Sequence, residues 1–382
     1  MADLKSLFLL DPDVVFLNHG SYGATPRPVF EAYQQWQRRL EREPVQFFNE
    51  ELPLRLREAR AALGRYLNCD VDDVAYVPNA TFGINVVARS LRLEPGDEIL
   101  STNHEYGAIE NCWEYICRAT GAVFIRRPIP LAIAPDDALE MIWNGVTPRT
   151  KVLFVSHITS STALRLPIET LCARARAAGI LSVIDGAHAP GQIELDLRAI
   201  DPDFYTGNCH KWLCSPKGAA FLYTRRDHQH LIEPLVVGWG WGEQRKQTGN
   251  SDYVDMFQWL GTNDFSAYLS VPAAITFQAD HDWPAVRAGC HRLLSTALGR
   301  ARELTGTPPL YVDEGQYQQM AVVELPPIAD LTAFNRRLFD RHRVEIPCIP
   351  WNGRQLLRIS IQGYNSEVDV EALLRALRAE LP

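Results

Sequence analysis

The chain has 382 residues, of which 46% are hydrophobic and 22% are charged, and its formal net charge is −8. This length and this balance are typical of a soluble globular protein of about two domains, and they exclude a disordered or fibrous chain. An acidic chain without a basic block is a poor candidate for binding nucleic acid. The longest charge-free run, 265–279, is too short to span a bilayer, and the N-terminus lacks the shape of a signal peptide. We therefore expect a cytoplasmic protein that binds neither nucleic acid nor a membrane.

The cysteines are scattered along the chain and do not form a C-x-x-C pair. This pattern is unlike a small disulfide scaffold or a zinc ribbon. We expect reduced, mostly buried thiols and no metal site. The eight residues are Cys69, Cys112, Cys117, Cys172, Cys209, Cys214, Cys290 and Cys348.

Hydrophobic periodicity predicts helices and strands that alternate through the middle of the chain. The predicted strands are 74–77, 98–102, 122–125, 151–155, 180–184, 320–324 and 356–361, and a further short strand is expected before Lys211. The predicted helices are 28–40, 52–67, 83–91, 105–120, 167–178, 283–305, 329–342 and 366–381.

This alternation predicts an α/β fold with a mostly parallel, mixed sheet between helices. The pattern changes near Asp280, where helices begin to dominate. We therefore expect an N-terminal segment at 1–25, a large domain at 26–280 and a smaller C-terminal α+β domain at 281–382. The N-terminal segment could pack with the smaller domain.

Polar residues follow three of the predicted strands. Thr81 lies after the first strand, Ser160 after the fourth, and Asp185 directly after the fifth. Because the carboxyl ends of parallel strands meet at one edge of a sheet, we expect these residues around one crevice. The helix that follows the first strand suits a small phosphate group at its N-terminus, although Asn79 or Thr81 could merely cap that helix. The absence of a glycine-rich phosphate loop argues against ATP and dinucleotides.

Lys211 is the best candidate for a lysine that binds a cofactor covalently. A Schiff-base lysine needs a water-poor site that lowers its pKa. Lys211 follows a short predicted strand and precedes an aromatic residue, whereas Lys217 lies in a predicted turn. The other lysines lie in the N-terminal segment, at the far end of a strand and in a polar stretch; they are Lys5, Lys151 and Lys246.

Several motifs together resemble the class V aminotransferase superfamily of pyridoxal-phosphate enzymes, which have fold type I. The segment Asp185-Gly-Ala-His188 is followed by Lys211 within Gly-Asn-Cys-His-Lys-Trp. The chain looks most similar to the isopenicillin N epimerase-like branch, in segments 16–26, 104–107, 156–160 and 358–365. The resemblance covers nearly the whole chain and implies pyridoxal 5'-phosphate as the cofactor.

The resemblance implies catalytic roles for three residues. Lys211 would form the internal aldimine with the cofactor and later move the Cα proton of the substrate. Asp185 would pair with the pyridine nitrogen and keep it protonated, so that the ring can accept electrons. His188 would lie near the ring hydroxyl or beneath the cofactor.

Four further residues match positions that hold the cofactor phosphate in this superfamily. Ala80 and Thr81 would bind it at the helix N-terminus, joined by Asn208 or His210 just before the lysine. Family members often carry serine at the position of Asn208, which leaves that contact open.

The resemblance also implies contacts with the cofactor ring and with a second subunit. Tyr106 matches the aromatic residue that stacks on the ring, and His104 is an alternative that the sequence does not separate from it. Ser160 would line the substrate side. Thr262 matches a loop that reaches the phosphate bound by a partner subunit, which implies a homodimer with shared active sites.

Arg358 matches the arginine that grips the α-carboxylate of an amino-acid substrate, a role that suits a bidentate guanidinium. Alternatively, Arg358 could only tie the final helix to the sheet. Asn18 and Tyr22 are candidate substrate contacts if the N-terminal segment folds over the active site. His19 and Tyr22 could instead belong to a plain strand and turn.

Pyridoxal phosphate makes the Cα proton labile for several reactions, and the protein selects among them. The branch resemblance favours an epimerase or racemase. A C–S lyase or cysteine desulfhydrase-like β-elimination is the main alternative, followed by an aminotransferase or a cysteine desulfurase. The only cysteine near the desulfurase nucleophile position, Cys348, lies in an apolar, proline-flanked stretch that does not resemble a mobile loop. A non-catalytic cofactor-binding protein is least favoured, because Lys211, Asp185 and Arg358 are all present.

Overall fold

The computed structural model of the protein describes residues 4–243, 245 and 251–382, and Lys246 lies outside them. The strands are β1 (Val15–Phe16), β2 (Val74–Val77), β3 (Glu98–Thr102), β4 (Val123–Arg127), β5 (Thr150–Ser156), β6 (Leu181–Asp185), β7 (Phe204–Asn208), β8 (Ala220–Thr224), β9 (Met320–Glu324), β10 (Val344–Glu345), β11 (Cys348–Trp351) and β12 (Arg354–Ser360).

The helices are α1 (His19–Tyr22), α2 (Arg27–Arg42), α3 (Pro44–Gln46), α4 (Leu52–Leu67), α5 (Ala80–Ser90), α6 (Gly107–Thr120), α7 (Pro135–Trp143), α8 (Ile168–Ala177), α9 (Leu197–Ile200), α10 (Asp252–Gln258), α11 (Ser266–Leu269), α12 (Val271–Asp280), α13 (Trp283–Thr305), α14 (Leu331–His342) and α15 (Glu367–Glu380). A π-helical turn covers Phe47–Glu51, and short 3-10 turns cover Lys5–Leu7, Val71–Asp73, Arg226–Leu231 and Glu314–Gln316. No helix among the described residues is long and apolar enough to cross a membrane.

The largest sheet has seven strands in the order β2-β8-β7-β6-β5-β3-β4. Neighbouring strands from β7 to β4 run parallel, whereas β8 is antiparallel to both β7 and β2. Because β8 opposes both of its neighbours, β2 points the same way as the parallel strands. The carboxyl ends of β2, β5, β6 and β7 therefore meet at one edge. The predicted α/β class with a mostly parallel, mixed sheet is confirmed.

Several strands of the large sheet are buried along their whole length. Every residue of β2, β3, β7 and β8 is buried. Continuous burial of this kind is typical of strands that are covered on both faces, because no side of the strand has to face water. Helices provide the cover. In α4, for example, the buried residues Leu52, Leu56, Leu63 and Leu67 recur on one face of the helix.

A smaller sheet brings the two ends of the chain together. Its antiparallel strands have the order β11-β12-β9. Strand β1 pairs in parallel with β10, and Asn18 forms an isolated bridge with Ser360 of β12. The N-terminal segment thus lies against strands near the C-terminus. Helix α12 ends at Asp280 and α13 begins at Trp283, and the division at 25 and 280 into separate domains stays a prediction.

Most element bounds match the sequence-based expectation, and the start of α5 differs for a clear reason. The helix begins at Ala80 instead of residue 83, because the Asn79 side chain accepts a hydrogen bond from the Phe82 N–H and caps the first turn. The sequence analysis does not predict α7, β8, β11 or the helices α10–α12.

Candidate active site

The sheet brings the predicted polar strand ends together at one edge. Ser156, at the end of β5, pairs in register with Asp185, which ends β6. Asp185 in turn pairs with Thr206 of β7. Lys211 follows shortly after the end of β7. A crevice of this kind, beyond the carboxyl ends of parallel strands, is where open α/β sheets bind ligands.

Lys211 and His188 contact each other in the crevice. The Lys211 Nζ lies 3.2 Å from the His188 Nε2, and the indole N–H of Trp212 donates to the His188 Nδ1 at 3.2 Å. Burial lowers the pKa of Lys211 to about 8, helped by the charge of Arg358 and opposed by that of Asp185. Burial also lowers the pKa of His188 well below its ordinary value. His188 is therefore neutral at neutral pH, and Lys211 has a larger free-amine fraction than an ordinary lysine.

Asp185 is a buried carboxylate in the same crevice. Its Oδ1 accepts the N–H of Ala187 at 2.9 Å. Burial raises the pKa of Asp185, while the Ala187 N–H and the charge of Lys211 lower it. A buried carboxylate is stabilised when a cation approaches it, and the protonated pyridine nitrogen of pyridoxal phosphate is such a cation.

A second buried carboxyl group, Glu105, lies near Asp185 and was not singled out from the sequence. Its oxygens accept hydrogen bonds from the Ser156 hydroxyl at 2.6 Å and the Thr102 hydroxyl at 2.7 Å. Burial raises the pKa of Glu105 to about 8, and the nearby Asp185 contributes to the rise. The only signal for Glu105 in the sequence was its place between His104 and Tyr106, in segment 104–107.

The N-terminus of α5 faces the end of β7. The Asn208 Oδ1 accepts the Ala80 N–H at 2.9 Å, and Asn79 accepts the Phe82 N–H. Thr81 lies in the sequence between Ala80 and Phe82, whose N–H groups are bound by these two asparagine side chains. His210 follows the end of β7, with its Nδ1 2.9 Å from the Ala219 carbonyl oxygen. A helix N-terminus of this kind suits an anionic phosphate.

His104 and Tyr106 have very different surroundings. The His104 Nδ1 lies 2.7 Å from the Thr162 hydroxyl, and its Nε2 lies 2.7 Å from the Ile129 carbonyl oxygen. Its ring is tilted against Trp351, with 4.6 Å between the ring centroids. Tyr106, by contrast, is 49% exposed at the start of α6. Tyr106 is thus half exposed, while His104 has both nitrogens and one ring face engaged.

Arg358 is held from two sides in the middle of β12, and its side chain is buried, with 4% exposed. Its Nη1 donates to the Ser160 carbonyl at 2.6 Å, and its Nη2 donates to the Ser21 hydroxyl at 3.0 Å. Its buried Nε has no hydrogen-bond partner among the described residues. Burial lowers the pKa of Arg358 to about 10. A guanidinium with an unused buried donor suits an anionic ligand.

The N-terminal turn contributes residues other than the two predicted. Asn18 accepts the Ser21 hydroxyl at 2.6 Å and donates to Glu345 at 3.0 Å, while Tyr22 is 75% exposed. Ser21 is the residue of this turn that touches Arg358. His19 is buried, with its Nε2 3.0 Å from the Lys211 carbonyl oxygen. Both residues belong to the quoted motif at 16–26, which was the only signal for them.

Thr262 lies apart from the residues described above. It is exposed, in the loop between α10 and α11. Cys348 lies in β11, and its sulfur accepts a hydrogen bond from the Asn335 amide at 3.6 Å. Burial raises the pKa of the Cys348 thiol to about 12, so the thiolate form that acts as a nucleophile is disfavoured.

Comparisons with known proteins show which family the chain resembles. The family model "Aminotransferase class-V" matches residues 15–373. The isopenicillin N epimerase of Amycolatopsis lactamdurans is 36% identical over 389 residues, covering 99% of this chain and 98% of that protein. A probable chloroplastic L-cysteine desulfhydrase of Arabidopsis thaliana is 28% identical over 404 residues, covering 96% of this chain and 83% of that protein.

Among solved structures, a cystine C–S lyase in complex with its product, cysteine persulfide, has a TM-score of 0.85 to this chain. The sequence identity is 22%, and the match covers 97% of this chain and 99% of the lyase. Similarity at this level of identity shows a shared fold.

The sequence-based predictions of family, fold type and enzymatic class are confirmed by these matches. The enzymes of this family depend on pyridoxal 5'-phosphate, and the crevice fits that cofactor, since it combines an amine, a buried carboxylate and a helix N-terminus. The chain therefore belongs to the class-V aminotransferase family of pyridoxal-phosphate-dependent enzymes.

Proposed function

We propose that the protein removes and replaces the Cα proton of an amino acid, as an isopenicillin N epimerase-like epimerase or racemase. The observation that carries this proposal is the meeting of Lys211, Asp185 and Arg358 at one crevice. Arg358 is close enough to contribute to the lowered pKa of Lys211. An amino acid bound through its carboxylate at Arg358 would therefore have its Cα near the lysine amine.

Lys211 is the proposed base and the residue that binds the cofactor. Its pKa of about 8 gives it a larger free-amine fraction at neutral pH than an ordinary lysine has. The free amine can accept the Cα proton and return it. His188 is in hydrogen-bond reach of the same nitrogen at 3.2 Å, which makes it the proposed hydrogen-bond partner of Lys211 while the lysine moves the proton.

Asp185 is proposed to hold the proton of the pyridine nitrogen. When bound, pyridoxal phosphate makes the Cα proton labile by accepting electrons into its protonated ring. Asp185 supports this chemistry because its buried carboxylate favours a cation beside it. Glu105, with its pKa raised to about 8, competes less for that cation than a second ionised carboxylate would.

The remaining cofactor contacts are proposed from the helix N-terminus and the aromatic residues. Thr81 would bind the phosphate through its N–H and hydroxyl, with His210 beside it, while Ala80, whose N–H is engaged by Asn208, would line the phosphate without donating to it. Asn208 would hold the first turn of α5 in place through its bond to the Ala80 N–H. Tyr106 is favoured over His104 as the stacking residue, because the His104 ring already packs on Trp351.

Substrate contacts are proposed on the opposite side of the crevice. Arg358 would bind the α-carboxylate, and Ser160 and Ser21 would orient the guanidinium through their bonds to it. Asn18 would act through Ser21, while the exposed Tyr22 would contact the substrate only if the entrance closes over it.

A C–S lyase or cysteine desulfhydrase-like β-elimination is the second candidate. It is favoured by the similarity to the Arabidopsis desulfhydrase, and it needs only one base, for which Lys211 suffices. A cysteine desulfurase is less well supported, because Cys348 lies in strand β11 and the pKa of its thiol is raised, which disfavours the nucleophilic thiolate. An aminotransferase and a non-catalytic cofactor-binding protein rank below the epimerase and the lyase.

We also propose that the enzyme is a homodimer with shared active sites. The exposed loop that carries Thr262 supports this arrangement, since a two-fold related copy could bring the loop to the phosphate.

The reaction can be tested by incubating the purified, cofactor-loaded protein with a panel of L-amino acids in deuterated water. An epimerase should produce the D-isomer and incorporate deuterium at Cα without releasing ammonia. A lyase should release pyruvate and ammonia, together with sulfide from cysteine or cysteine persulfide from cystine.

Two lysine variants provide the matched pair for this experiment. Borohydride should attach the cofactor to Lys211, and Lys211→Ala should lose both the label and the exchange. Lys217→Ala, which removes a lysine that donates to the Gly23 carbonyl, should keep both. Labelling of Lys217 instead would overturn the proposal.

A further inference from the structure

We propose that Trp212 is a positioning residue that keeps the His188 proton on Nε2 and thereby favours the free amine of Lys211. The proposal rests on the proposed function, in that Lys211 is the lysine of the reaction. It concerns Trp212, the residue that follows this lysine, to which the family resemblance assigned no role.

The geometry of Trp212 and His188 leaves one ring tautomer. An indole N–H can donate but cannot accept. The Trp212 Nε1 lies 3.2 Å from the His188 Nδ1 in the buried interior, so this nitrogen must accept. Since the neutral ring carries one proton, that proton lies on Nε2.

The Nε2 proton points toward Lys211, at 3.2 Å from Nζ. A neutral amine has a lone pair that accepts this hydrogen bond, whereas an ammonium group has only donors. A charged Lys211 would thus place donor against donor. If His188 changed tautomer to accept from the ammonium, its Nδ1 proton would meet the Trp212 N–H. Either arrangement leaves a buried donor unsatisfied, which disfavours the charged lysine.

Other charged and titratable groups face the same pair. Asp185 favours the ammonium form of Lys211, and Arg358 disfavours it. The charges of Lys211 and Arg358 also disfavour a charged His188. The His19 ring lies 4.9 Å from the Trp212 ring and is itself neutral, because burial lowers its pKa to about 3. Trp212 adds to these effects a directional constraint that none of the charges supplies.

The same tautomer has a consequence for ligand binding. With Nδ1 occupied by Trp212, His188 presents an N–H to the crevice at all times. This N–H is a fixed donor for Lys211 in the cofactor-free protein and would be one for the hydroxyl oxygen on the cofactor ring when the cofactor is bound, and the constraint holds without any change in the protonation of His188.

The test uses the full-length protein freed of cofactor and follows the reaction of Lys211 with an amine-specific acylating reagent as a function of pH. Peptide mass spectrometry reports the labelled fraction of Lys211. Trp212→Phe keeps an aromatic ring but removes the N–H, and it should move the midpoint of the labelling profile up by about one pH unit. That shift is a tenfold change in the protonation equilibrium, as expected for a buried donor.

Trp283→Phe is the matched control, because Trp283 is also buried and donates its indole N–H, at 3.0 Å, to the Gly191 carbonyl. Its labelling midpoint should stay at the value of the unmodified protein. In parallel, spectra of ¹⁵N-labelled histidine, with His188 assigned from a His188→Gln variant, should show the Nε2–H tautomer in the unmodified protein.

Two results would overturn the proposal: an unchanged midpoint in a folded Trp212→Phe protein, or an Nδ1–H tautomer of His188 in the unmodified protein. If Trp212→Phe does not fold, the histidine spectrum of the unmodified protein still decides. Failure of the proposed function is separate, because it would appear as borohydride labelling at a residue other than Lys211 in the cofactor-loaded protein.

Discussion

Replacing Arg358 by alanine is the sharpest test of an amino-acid substrate. The guanidinium is buried and is held by Ser160 and Ser21, with Nε unused. Removing one partner of a buried charge pair costs about 2–5 kcal/mol. We therefore expect the amino-acid concentration for half-saturation to rise by roughly 30-fold to several thousand-fold, while the cofactor, which is held elsewhere, stays bound.

The substitution should also change the pH dependence of Lys211. The positive charge of Arg358 contributes to lowering the pKa of Lys211 to about 8. Without that charge the ammonium form is less disfavoured, so the pKa should move upward, toward the ordinary lysine value of 10.5. Acylation of Lys211 in the cofactor-free protein should then require a higher pH.

The assay is a titration of the cofactor absorbance with amino acid, together with thermal unfolding. Arg354→Ala is the matched control on the same strand, because Arg354 is exposed and pairs with Glu324 at 3.5 Å. Arg358→Lys should recover only part of the affinity, since an ammonium group cannot bind a carboxylate in the bidentate manner of a guanidinium. If Arg358→Ala lowers the unfolding temperature but leaves amino-acid affinity unchanged, Arg358 only holds the fold together.

Three further predictions concern the rest of the site. Asp185→Asn should keep the cofactor but lose most of the Cα exchange, because a neutral amide stabilises the protonated ring less; near-normal deuterium incorporation would contradict this role. His19→Asn should slow the Cα exchange by roughly 10- to 100-fold, because the shorter side chain loses the hydrogen bond to the Lys211 carbonyl. His19→Gln should recover most of the rate, because its side-chain amide is long enough to reach that carbonyl. Equal exchange rates in the two variants would count against a role for this contact. The free energy of unfolding should fall when the pH drops below 6.5, because four histidines have pKa values lowered to about 3 or 4 in the folded protein and bind protons more readily in the unfolded chain; they are His19, His104, His157 and His210. The loss should be about 1.4 kcal/mol per pH unit for each of these residues. A flat profile of unfolding temperature between pH 6.5 and 4 would refute this prediction.

Local sequence patterns determined much of the fold. Helix α4 and strands β2, β3 and β9 have the predicted bounds, because their apolar residues recur with the period of one element and turn residues border them. The polar ends of β2, β5 and β6 could be predicted to meet, since parallel strands share an edge. The place of strand β8 in the sheet could not be predicted in this way, because its antiparallel direction depends on the pairing with β2 and β7.

The resemblance of the motifs brought Lys211, Asp185 and Arg358 to attention, but not the groups that set their properties. Ser21 reaches Arg358 only because β1 pairs with β10 near the other end of the chain. Such a contact joins residues far apart in the sequence and leaves no periodic signal.

Burial decided the rest. Two aromatic residues two positions apart, His104 and Tyr106, read alike in the sequence, yet one is enclosed by Thr162, Ile129 and Trp351 while the other remains half exposed. The sequence by itself determined which residue types stand near the crevice. Only the tertiary structure decided which of their nitrogens and ring faces are already engaged, because hydrogen-bond partners and solvent exposure arise when distant segments pack together.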